Sequence, residues 1–198
     1  IASGDLPAGV TILPGQAGSG NEGAAMLEIV HDLAPGASLL FATALGGQAA
    51  FADNILALRA AGADVIVDDV AYFAEAVFQD DDVAAAVDAV RADGALYFSS
   101  AGNGGNLDDG TSGVWEGNYS AGTRVNGLPA HTYGAGDITN TILADSPFAY
   151  SLHWSDPLGA SGNDYDLFLT DAAFTTILAA STDVQNGAGD PFEIIDSS

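Results

Sequence analysis

The chain has no cysteine and no lysine, and its only strongly basic side chains are Arg59, Arg91 and Arg124. Without cysteine there is neither a disulfide framework nor a thiolate metal site. Without a basic stripe nothing neutralises phosphate, which excludes nucleic acid and argues against an anionic lipid surface. Apolar runs stay short of the roughly 18 residues that cross a bilayer, so no membrane span is expected. The three histidines, His31, His131 and His153, are too scattered to suggest zinc. What the chain does have is acid: 27 aspartates and glutamates give 198 residues a formal charge of −24. Hydrophobic residues still make up 48% of the chain, enough for a real core. Such a surface suits a secreted, salt-tolerant protein whose self-repulsion is screened by cations.

The first hundred residues alternate between strand and helix patterns. Asn21 caps a helix over 21–33, an apolar strand occupies 38–44, and a second helix over 48–61 is closed by Gly62. A strand over 63–69 leads to a helix that starts at Asp80 or Asp81, runs through Ala92 and is closed by Gly94. A third strand covers 95–100. This order predicts an α/β fold with a parallel sheet flanked by helices, and the continuous apolar strands predict that both sheet faces are covered. A cleft is expected where the strands end, near Ala44, Asp68, Asp69 and Asn103. After about residue 106 short β-branched and aromatic runs at 139–143, 149–154, 165–170 and 176–179 alternate with Gly, Asn, Asp and Pro. That texture predicts an antiparallel β-sandwich segment. The expected division is 1–128 and 129–198.

Two segments carry a family resemblance. One is Asn21-Glu22-Gly23-Ala24, opening a helix that runs into Ala34-Pro35-Gly36; the other is Ser99-Ser100-Ala101-Gly102-Asn103-Gly104-Gly105. Together they resemble the subtilisin-like serine peptidases and their acid-acting relatives, the sedolisins, so that the α/β part looks like an incomplete subtilisin-like domain. The resemblance implies that Glu22 stands where the general base is carried and that Asn103 stabilises the oxyanion. It also implies that Asp68 and Asp69 lie at the edge that pairs with a peptide substrate. The chain departs from the pattern in several places. Glu22 stands where subtilases have His, and Met26 where sedolisins have Asp. Gly110-Thr111-Ser112 is followed by Gly113-Val114-Trp115 rather than by small residues and Pro. Ser112 therefore reads as a loop residue. The residues also have plainer readings: Glu22 as a first-turn acid, Asn103-Gly104 as a turn, Asp68 and Asp69 as a solvated strand end.

The implied function is a segment of a secreted serine endopeptidase, inactive alone because its catalytic serine lies outside these residues. The alternative is a catalytically inactive module for binding, or for self-association through an exposed sheet edge. Further along, Asp164, Asp166 and Asp171 bracket the strand Leu167-Phe168-Leu169-Thr170. They supply the hard oxygen ligands that calcium prefers, and the run resembles the small β-sandwich domains joined to secreted peptidases. A solvated acidic strand edge is the other reading of the same residues.

Overall fold

The structure, a computed structural model, describes residues 5–16, 18–125, 127–142 and 149–196. Three helices form in the first half: α1 (Glu22–Leu33), α2 (Gln48–Ala60) and α3 (Asp82–Ala92). The start of α3 is fixed by Asp81, whose carboxylate accepts from the backbone N–H groups of Val83 (3.1 Å) and Ala84 (3.3 Å). Gly62 and Gly94 follow α2 and α3 with positive φ, which ends both helices. Val83, Ala86 and Val90 lie on one face of α3 and meet Phe51, Ala52 and Ile55 of α2; Ala63, Ile66 and Ala95 complete this core. The small alanines let the two helices approach closely.

Ten strands were found among the described residues, in five two-stranded sheets. The short β1 (Thr11–Ile12) pairs in parallel with β2 (Leu40–Phe41), and β3 (Val65–Asp68) in parallel with β4 (Leu96–Ser99). The pairs β5 (Ala121–Val125) with β6 (Leu128–His131) and β8 (Leu167–Thr170) with β9 (Ile177–Ser181) are antiparallel. The strand β7 (Ala149–His153) pairs with β10 (Phe192–Asp196).

This overturns the expected architecture. The chain does not build one parallel subtilisin-like sheet between helix layers, followed by a β-sandwich; it builds separate two-stranded sheets. The expected strands at 38–44 and 63–69 are not neighbours in a sheet: β2 pairs with β1, and β3 with β4. The physical reason lies in the outer face of β3 and β4. Ile66 packs on the helices, but Val65, Val67, Leu96 and Phe98 are 55%, 49%, 58% and 56% exposed. The apolar run that suggested two covered faces has a helix layer on one face only. The chain leaves β4 into an exposed loop rather than into a covering helix. Helix α1 adds little, having no buried residue. At Gly23 it comes close to β2, where an added Cβ would lie 2.5 Å from the Phe41 ring.

Two compact units emerge: Ile1–Ala101 with Tyr150–Ile195, and Gly102–Ala149 with Asp196–Ser198. Within the first, the loop between β3 and α3 is fastened to the later strands. Gln79 donates to the Asp156 carbonyl (2.5 Å) and accepts from Leu158 N–H (3.0 Å), and His153 Nε2 lies 2.9 Å from the Phe73 carbonyl. In the second, an aromatic cluster holds the β5–β6 pair: Trp115 and Tyr133 meet edge-on at 4.9 Å, with His131 4.7 Å from Tyr133.

Candidate functional site

Alternation along β3 and β4 decides which side chains meet. Ile66 and Asp68 face the helices, as do Ala95, Tyr97 and Ser99 on the neighbouring strand. Asp68 and Ser99 are register partners, and the Ser99 hydroxyl donates to Asp68 Oδ1 at 2.8 Å. The Tyr97 hydroxyl donates to the other carboxylate oxygen of Asp68 in a short hydrogen bond. Burial is the first cause holding the Tyr97 phenol above its ordinary value, and the bond to Asp68 is the second.

These residues open onto a groove of about 300 Å³ between the strand ends and α3. Its apolar walls come from Phe51, Val70, Val83 and Val87, with the rings of Tyr72 and Tyr97. Tyr72 is held in place by donating to the Ala44 carbonyl (2.5 Å) and by its ring, 5.5 Å from that of Phe51. The rim is acidic: Asp68, Glu75, Asp80 and Asp88. Glu75 is placed by its loop. Its N–H donates to the Tyr72 carbonyl (3.0 Å), and the following residue, Ala76, donates to Asp81 Oδ2 (2.9 Å). Burial, then the charges of Asp81 and Asp68, push the Glu75 carboxyl above its ordinary value. Among the described residues Asp88 pairs with Arg91 (3.3 Å), while no arginine pairs with Asp68, Glu75 or Asp80.

Of the residues singled out by sequence, Asp68 is in this groove, and Asp69 is exposed beyond the end of β3. Glu22 is exposed on the first turn of α1, and Asn103 is exposed in the loop after β4. They fall in different compact units. Ser112 is also exposed. Its hydroxyl donates to the Val114 carbonyl (3.1 Å) and accepts from Val114 N–H (3.2 Å), which closes a local turn. Tyr72, Glu75 and Tyr97 were not singled out. The period-2 pattern, which puts Tyr97 on the same face as its neighbours Ala95 and Ser99, was the signal available for one of them.

The three acids read as calcium ligands differ in their surroundings. Asp171 is occupied in the β8–β9 turn, accepting from Thr175 N–H (2.7 Å), the Thr175 hydroxyl (2.5 Å) and Thr176 N–H (3.3 Å). Those bonds, led by Thr175, hold its carboxyl below the ordinary value. Asp164 accepts from Gln185 N–H (3.0 Å). Asp166 sits above its ordinary value through burial and the charges of Asp164 and Glu193. Among the described residues no three His, Cys, Asp or Glu side chains are arranged to hold a metal ion. No helix among the described residues is long and apolar enough to cross a membrane. Comparison with known proteins brings no family to the chain: no family model, curated protein or solved structure matches it.

Proposed function

We propose that these residues form a non-catalytic binding module whose ligand occupies the groove between the β3–β4 strand ends and α3. One observation carries the reading: a concave site of about 300 Å³ in which apolar walls surround a few convergent polar groups, Asp68, Tyr97 and Ser99 among them. That combination is the ordinary form of a small-ligand or side-chain pocket. Phe51 and Val83 belong to the hydrophobic core, and Val70, Tyr72, Val87 and Tyr97 pack against it, which favours a pre-formed site. The serine-peptidase reading rests on the resemblance of the Glu22 and Asn103 segments. The serine of the Gly110-Thr111-Ser112 run has no base within hydrogen-bond reach among the described residues, since Ser112 bonds only to Val114.

The test is retention of peptides from digested casein by the immobilised chain, read by mass spectrometry. Ala84 lines the groove, and Ala84→Trp fills it. The reading expects wild type to retain a subset of peptides without cutting them, and Ala84→Trp to lose that subset. Retention indifferent to Ala84→Trp, or new cleavage by the purified chain, overturns it.

A further inference from the structure

The groove has an acidic rim and aromatic walls, and among the described residues no basic side chain lines it. The sequence has no lysine. In the same unit Arg59 binds Asp64, Asp93 and the Ala63 carbonyl, and Arg91 binds Asp88. That leaves Asp68, Glu75 and Asp80 at the groove without a basic partner among the described residues. Asp68 has two hydroxyl donors, Tyr97 and Ser99. Among the described residues the Glu75 and Asp80 carboxylates take no part in the hydrogen bonds that hold the fold, which leaves them available to a ligand.

Resting on the reading of this groove as a binding site, we propose that its occupant is a basic side chain of a peptide, lysine or arginine. Three features of the groove match the three parts of such a side chain. Val70, Val83 and Val87 cover the methylene stem, which buries along apolar surface while its charged head stays polar. The rings of Phe51, Tyr72 and Tyr97 line the groove, and aromatic rings attract an organic cation. Asp68, Glu75 and Asp80 accept the N–H donors of the head in charge-assisted hydrogen bonds. A bare metal ion makes no use of aromatic and apolar walls, and an acidic or phosphorylated ligand is repelled by the rim. The overall charge of −24 draws basic peptides toward the surface but does not select a place on it.

The test is calorimetry with three capped tripeptides, Gly-Lys-Gly, Gly-norleucine-Gly and Gly-Glu-Gly, at moderate and at high salt. The proposal expects the lysine peptide to bind at least about tenfold more tightly than the norleucine peptide, with no binding of the glutamate peptide. Glu75→Gln combined with Asp80→Asn should weaken lysine binding by about tenfold. Neither carboxylate supports the fold, so the variant is expected to fold normally. Asp32→Asn combined with Asp53→Asn removes the same charge from exposed positions and should leave binding unchanged. Equal binding of lysine and norleucine peptides overturns the choice of a cation and leaves the groove reading standing. Equal loss in both double variants shows that only net charge attracts the peptide, and overturns the proposal. No binding of any peptide, together with casein-peptide retention indifferent to Ala84→Trp, overturns both.

Discussion

Asp68 and Ser99 sit opposite each other at the last paired position of β3 and β4, and the Ser99 hydroxyl reaches Asp68 Oδ1 at 2.8 Å. With Tyr97 bonded to the second oxygen, the carboxylate is held by its neighbours on β4 before any ligand arrives. A polar group fixed in this way presents its remaining lone pairs in a set direction, which is the pre-organisation a binding site needs.

Tyr97→Phe removes one of the two donors and leaves the ring in place. The remaining carboxylate keeps Ser99, so the expected cost is about 1.5–3 kcal/mol in urea unfolding, the range for a hydrogen bond to a charged group. Asp68→Asn combined with Tyr97→Phe should cost less than the two single changes added together, because both act on one bond. Strict additivity would mean that the contact contributes nothing.

The core gives a sharper contrast. Ile55 is 1% exposed between α2, α3 and the β3–β4 pair, whereas Leu33 at the end of α1 is 83% exposed. Ile55→Ala should cost about 2–5 kcal/mol, and Leu33→Ala less than about 0.5 kcal/mol. Thermal or chemical melts of the two variants decide it, and comparable losses would place α1 inside the cooperative core.

Two carboxyls pull the pH dependence in opposite directions. Glu75 is raised above 4.5 by burial, then by Asp81 and Asp68; Asp156 is lowered below 3.8, chiefly by the Asn163 N–H. At Glu75 the folded chain binds the proton more tightly than the unfolded chain does. Stability therefore falls as pH rises through the window between 4.5 and the raised value. Glu75→Gln should then be more stable than wild type at neutral pH, with the difference vanishing below that window. At Asp156 the contribution is present above 3.8 and is lost as pH falls through the lowered value. Asp156→Asn should be destabilised at neutral pH and converge on wild type in acid. Urea melts across the acid range measure both slopes, and slopes of the reverse sign contradict the assignment.

Arg59 links the ends of two helices. It donates to Asp93 Oδ2 (2.7 Å), the Asp93 carbonyl (2.6 Å) and the Ala63 carbonyl (3.0 Å). Lysine cannot reproduce that fork, so Arg59→Lys should lower the melting temperature although the charge is kept. A melting temperature equal to wild type would show that the charge alone matters.

The helices were legible in the sequence because their apolar spacing and end signals are local. Asp81, Gly62 and Gly94 act where the pattern put them. The sheet was not legible for a nonlocal reason. An apolar run such as Ala63-Asp64-Val65-Ile66-Val67 says that a strand forms, but not whether anything covers Val65 and Val67. Pairing is equally nonlocal, and nothing in 38–44 reveals that β2 will choose β1. The site was legible in one residue, Asp68, because it ends an apolar strand. Glu75 and Tyr72 belong to a loop whose shape depends on Asp81 and on Gln79 meeting Asp156, contacts between residues 5 and 77 positions apart.

The central claim is that the groove at Asp68 binds a basic side chain. Its most direct test is an NMR titration of the isotope-labelled chain with capped Gly-Lys-Gly. The account predicts saturable shifts concentrated at Tyr72, Glu75, Val87 and Tyr97, absent in Glu75→Gln combined with Asp80→Asn. Shifts scattered over exposed acids such as Asp32, Asp108 and Asp164, with the groove residues unmoved, would contradict it.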